Sequence, residues 1–131
     1  MKIDATPLKM VKINVGDAPD LVVDWLVAKC EGKVVRIVSG VCHDADLLEM
    51  EVDGDTHLRY TADWAQGGPI IEREKIDVRY TGQCWGAARQ LNEYDEPDEW
   101  FGPTPLSAAM RCYVASKMGE VIEAPKALLA A

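Results

Sequence analysis

The run Gly102-Pro103-Thr104-Pro105 admits few folds. Glycine and proline stop any strand entering from Trp100-Phe101, and a threonine ahead of a proline starts a helix. Thr104 offers the side-chain oxygen of an N-cap, and Pro105 takes the first helical position, where its missing N–H costs nothing. Leu106, Ala109, Met110, Tyr113, Val114 and then Lys117 or Met118 recur at helical spacing, and Gly119 ends the run. Trp100-Phe101 is an apolar re-entry point, followed by a stop and then a helix over 104–118.

A second helix is predicted near 18–31. Asp17 is placed to cap it, Asp20 lies in its first turn, and Leu21, Val22, Trp25, Leu26 and Cys30 form one apolar stripe before Gly32. The remaining pattern has period two. Residues 8–15 set Val11, Ile13 and Val15 against Lys12 and Asn14, and Lys33–Val38 is a short β-branched run. Residues 41–46 read as a loop. Leu47–Tyr60 reads as a hairpin about Asp53-Gly54, with His57 and Arg59 opposite Thr56, Leu58 and Tyr60. Ile76, Val78 and Tyr80 oppose Asp77 and Arg79, and Cys84–Leu91 is a further strand. Asn92–Glu99 reads as an exposed acidic loop, and the tail from Glu120 is expected to fray. These elements predict one α+β domain over 1–131: an antiparallel sheet of about five strands with both amphipathic helices on one face.

Between the hairpin and the next strand lies Asp63–Glu74, Asp-Trp-Ala-Gln-Gly-Gly-Pro-Ile-Ile-Glu-Arg-Glu. It reads as a loop in which Gly67-Gly68 turns the chain and Pro69 opens a short helix. Two functions are open to it. Its N–H groups could hold an anion, with Trp64 stacking and Gln66 and Arg73 hydrogen-bonding. Alternatively, the glycines only turn the chain and Trp64 plugs the edge of the core.

A second candidate surface comes from strand alternation. Arg36, Arg59, Arg79 and Arg89 all fall opposite the core-facing positions, with Trp85 beside Arg89. They form either a phosphate-binding face or cross-strand pairs with Glu49, Glu51 and Asp77.

Other chemistries lack support. The net charge of −8 over 131 residues runs against duplex nucleic-acid binding, which needs a basic footprint. No run approaches the length of apolar residues that spans a bilayer, and the N-terminus lacks the shape of a signal peptide, so a cytoplasmic location is expected. The four cysteines are too scattered for a disulfide framework or a zinc knuckle and read as small core hydrophobes. His43, between Cys42 and Asp44, could be read as a metal ligand, but neighbouring residues on an extended chain point apart. Neither a catalytic set nor a cofactor is predicted. Association as a homodimer stays open.

The stretch Asp63–Glu72 resembles the signature of the phage NinX-like family, small accessory proteins of tailed phages and prophages. Asp24–Gly32 is similar to the family's first-helix segment, and Gly102–Leu106 with Met110–Lys117 to its C-terminal helix. Lys33–Thr61 departs from it, being longer and richer in strand, as a hairpin insertion would be. The resemblance implies a phage origin and expression in a bacterial host cytoplasm. It implies no activity. The expected role is a binding module for a host factor, with sequestration of an anionic, nucleotide-like molecule or a small hydrolase or metalloenzyme as alternatives.

Overall fold

The structure is a computed structural model and describes residues 9–46, 56–89 and 98–129. Its elements in chain order are β1 (Met10–Asn14), α1 (Asp20–Cys30), β2 (Val35–Val38), β3 (Val41–Asp44), α2 (Trp64–Glu74), β4 (Asp77–Tyr80), β5 (Trp85–Ala88), β6 (Glu99–Gly102), α3 (Pro105–Met118) and β7 (Val121–Pro125). The class is α+β with antiparallel strands, as the sequence predicts.

α3 is the centre. Every residue from Leu106 to Val114 is buried, because β4, β5 and β6 pack on it together with α1, α2 and β7. Thr104 caps it as expected, its Oγ1 accepting from the Ser107 N–H at 3.1 Å. α1 packs beside it, with Val22–Ala28 buried. Neither helix is limited to a single apolar stripe. Their flanks are small or apolar residues, so each can be enclosed on more than one side.

The strands fall into three small sheets, β1–β7, β2–β3 and β4–β5–β6. Several segments depart from expectation. Residues 41–44, read as loop, form β3, and Cys42 is fully buried there. The tail does not fray at Glu120. β7 pairs with β1 from Met10↔Pro125 to Asn14↔Val121, and Leu128 is buried just beyond. The apolar alternation Val121–Ala124 draws this edge back onto the core. Asp17 does not cap α1, whose start after Pro19 has no side-chain cap. Tyr80 is 60% exposed rather than aligned with the core. Most of the expected hairpin turn and of the acidic loop lie outside the described residues.

The largest departure is α2. Asp63 caps it, Oδ1 accepting from the Ala65 N–H at 2.9 Å, so Gly67, Gly68 and Pro69 lie inside the helix rather than ahead of it. Pro69 cannot donate to the Ala65 carbonyl, but both residues face solvent and water can take that bond. The end of α2 is equally hidden in the sequence. Lys75, not a glycine, adopts the left-handed conformation (φ 54°). The Ile76 N–H then returns to the Ile71 carbonyl at 3.1 Å, closing a Schellman turn.

Candidate functional site

The signature stretch is turned largely inward. Gln66 fastens the preceding segment: Oε1 accepts from the Arg59 N–H at 2.9 Å, and Nε2 donates to the His57 carbonyl at 2.9 Å. The Gly67 N–H donates to Asp63 O at 2.9 Å, and the Gly68 N–H lies in the helical interior. Neither is offered to an anion. Trp64 does not plug the core. It is 57% exposed on the first turn of α2.

Arg73 of the expected anion loop, and Arg79 and Arg89 of the expected arginine face, are drawn into ion pairs. Arg73 holds Glu31 with both guanidinium nitrogens, at 2.9 and 2.8 Å, and Glu74 through Nε at 2.9 Å. Arg79 forks onto Glu99 at 2.9 and 2.8 Å. That fork crosses the middle strand above Gly86, where a Cβ would collide with the Glu99 carboxylate. Arg89 reaches Glu74 Oε1 at 3.2 Å and the Glu74 carbonyl at 3.0 Å. Arg59 contributes through its backbone to Gln66. Arg79 and Trp85 belong to the three-stranded sheet and Arg36 to β2, so alternation along separate strands never brings the set together.

These pairs knit the three helices. The Tyr113 hydroxyl of α3 donates to Glu31 at 2.5 Å, and Arg73 and Lys117 lie over its ring. Burial and then the Glu31 bond push the Tyr113 phenol above its usual range. The Arg73 bond holds Glu31 below the usual carboxylate range. The same arginine, aided by Lys117 and Arg89, does so for Glu74.

Beside this network opens a cleft of about 340 Å³. Glu31, Lys33 and Asp44 line it with Thr56, His57, Leu58, Tyr60 and Gln66. Its electrostatics are set by carboxylates. Burial first, then the charges of Glu31, Asp44 and Asp24, push the Tyr60 phenol up to about 12. Lys33 is the nearby cation, 3.6 Å from Asp44. His57, on the cleft wall, is bridged to His43 of β3, the ring centroids 5.7 Å apart. Of the sequence candidates, only Gln66 lines the cleft, with Arg73 one residue removed through Glu31. The histidine pair is missed by reading along the chain, since it is made by strand pairing.

Further readings are constrained by burial. The Cys42 and Cys112 thiols are pushed up by burial to about 12 and about 11, which suits packing rather than nucleophilic work. Ser107 is fully buried, and its hydroxyl donates to Asp20 at 2.6 Å. Among the described residues, no three His, Cys, Asp or Glu side chains converge as a metal cluster. No helix there is long and apolar enough to cross a membrane.

A family model described as Bacteriophage P22, NinX matches residues 14–117. The match takes in the α1, α2 and α3 segments and covers most of the chain, which therefore belongs to this phage family. No curated protein matches the chain.

Proposed function

We propose that this member of the phage NinX family, a phage accessory protein, is a non-enzymatic binding module that engages a host protein through Trp64. The observation that carries the reading is the division of labour in the signature stretch. Its amide and Gly67 serve the fold, while its aromatic stands 57% exposed on a capped helix. A tryptophan held outward on a rigid element loses little entropy on docking and buries a large area, which is why tryptophan is enriched at the energetic centres of interfaces. Phe101 and Tyr80, 50% and 60% exposed on β6 and β4, are further apolar contacts in the same class.

Affinity capture from bacterial host lysate, wild type beside Trp64→Ala, tests it. The expected result is a partner enriched by the wild type and reduced at least tenfold by the variant at equal melting temperature, as losing an aromatic anchor worth about 2 kcal/mol requires. Failure to enrich any partner, or equal capture by both proteins, would overturn the reading.

The cleft favours a second reading, a small-molecule binder. Because Glu31 and Asp44 line it while Arg73 is committed to Glu31, its ligand would be neutral or cationic rather than nucleotide-like. Native mass spectrometry of freshly purified protein would show a retained mass.

A further inference from the structure

We propose that His43 and His57 form a binding site for one divalent transition-metal ion of borderline softness, such as Zn²⁺ or Ni²⁺. Three observations carry it. The first is register. The Asp44 N–H donates to Thr56 O and the Leu58 N–H to Cys42 O, each at 2.9 Å, and these bonds flank the His43–His57 bridge. The two histidines are thus a non-hydrogen-bonded antiparallel pair, the arrangement that brings opposed side chains closest together and on one face.

The second is distance. An ion about 2.0–2.1 Å from one nitrogen of each ring, in tetrahedral geometry, sets the two centroids about 5 Å apart. The observed separation is 5.7 Å, with the rings tilted by 31°, close to that spacing.

The third is orientation. His43 Nδ1 lies 2.8 Å from Thr56 Oγ1. With Nδ1–H donating to the hydroxyl, Nε2 carries the lone pair, and the ring is held as metal-ligating histidines are held by their outer partners. Two imidazoles leave the remaining coordination positions to water, so the site is open and exchangeable rather than structural. Bound metal would tie the segment 56–60 to β3 beyond its present bonds, and that segment is one wall of the cleft.

Isothermal titration with Zn²⁺ and, separately, Ni²⁺ tests the site on the full chain, untagged and treated with chelator. The expected result is one equivalent bound by wild type, weakened at least tenfold in His57→Gln and several-fold in Thr56→Val. Two-dimensional NMR of the histidine ring protons reads the same event directly, with both rings shifting together on adding Zn²⁺. A well-folded wild type that binds neither ion overturns the proposal. So does a His57→Gln protein that binds as tightly as wild type, or an NMR response confined to one ring.

Discussion

α3 and α2 are neighbours that the chain specifies in opposite ways. α3 announces itself, with a threonine cap, a proline at its first position and a glycine after its end. It then carries the core, with nine consecutive buried residues. α2 carries two glycines and a proline in its first seven residues and ends on a left-handed lysine, and only Gly67 and Ile70 are buried in it. In α3, local propensity and tertiary packing agree. In α2, the side chains around it overrule propensity: Asp63 caps it, Gln66 clamps it to residues 57–59, and Glu31 with Tyr113 hold its final turn through Arg73. A helix whose own sequence disfavours it survives because its ends are fastened to elements that do not need it.

The sharpest way to break that comparison is to loosen α3 itself. Arg111 is buried on it, donating to the Val15 carbonyl at 2.8 Å and to Asp20 Oδ1 at 2.9 Å. Arg111→Ala would leave the carbonyl with only the longer bond from the Ala18 N–H, at 3.3 Å, and remove the packed stem. Asp20, 43% exposed, can rehydrate, so the expected loss is about 3 kcal/mol, the low end for breaking a buried pair. Urea unfolding followed by circular dichroism would measure it, with Arg111→Met recovering the part that belongs to the stem. A loss under about 1 kcal/mol, the scale of an exposed pair, would mean that α3 does not depend on this anchor.

An effect of at most similar size is expected where the turn before α2 meets α1. Asp24 of α1 is buried and accepts from the Thr61 N–H at 2.8 Å. Burial raises its carboxyl to about 6, against the lowering effect of the Thr61 bonds. The folded state therefore holds this proton more tightly than the unfolded chain does. Its contribution is favourable at low pH and is lost as pH rises from about 4 to about 6, by up to about 3 kcal/mol. Asp24→Asn keeps an acceptor for Thr61 without the charge. It should be more stable than wild type at pH 7, with the advantage vanishing near pH 4. Glu31 and Glu74 act with the opposite sign in both proteins: held below the ordinary carboxylate value, they contribute stability that is lost as pH falls. The difference between variant and wild type across a pH series of chemical melts isolates Asp24.

How much of this was legible in the sequence follows the same division. α1, α3, β1, β2, β4 and β5 were readable because a stripe or an alternation is bounded by turn residues, and in α3 also by a real cap. β3 was not, because Cys42-His43-Asp44 lacks apolar alternation and is made a strand by its partners β2 and residues 56–58. β7 was hidden by an alanine-rich tail whose order comes from pairing with β1. Arg36 and Arg79 lie on strands, while Arg59 and Arg89 lie outside them, and alternation in any case gives a side, not a neighbour. Whether Arg79 meets a ligand or Glu99 depends on Gly86 leaving room across the middle strand. Trp64 was legible as unusual and misread in direction, because residue type cannot show which way the first turn of a helix faces.

The finest discrimination lies between two adjacent glycines that the sequence could not tell apart. A Cβ on Gly67 would stand 2.5 Å from the Tyr60 carbonyl oxygen and 2.7 Å from Leu106 Cδ2. The carbonyl is backbone, and Leu106 is fixed in the first turn of α3, so one of the packed elements must move. On Gly68 a Cβ would meet only the exposed Trp64 ring, at an ordinary 3.7 Å. Both residues are helical, so alanine removes the same unfolded-state entropy at each. Gly67→Ala should therefore destabilise by about 1–3 kcal/mol, as overpacking does. Gly68→Ala should stabilise by about 0.5–1 kcal/mol, the usual gain of alanine over glycine in a helix. Denaturant midpoints at unchanged slope would read both. Equal effects would show that α2 is not pressed against Tyr60 and Leu106 at Gly67. Opposite signs would place the contact that holds this helix at Gly67, and leave Gly68 as a position where the fold asks for nothing but helix.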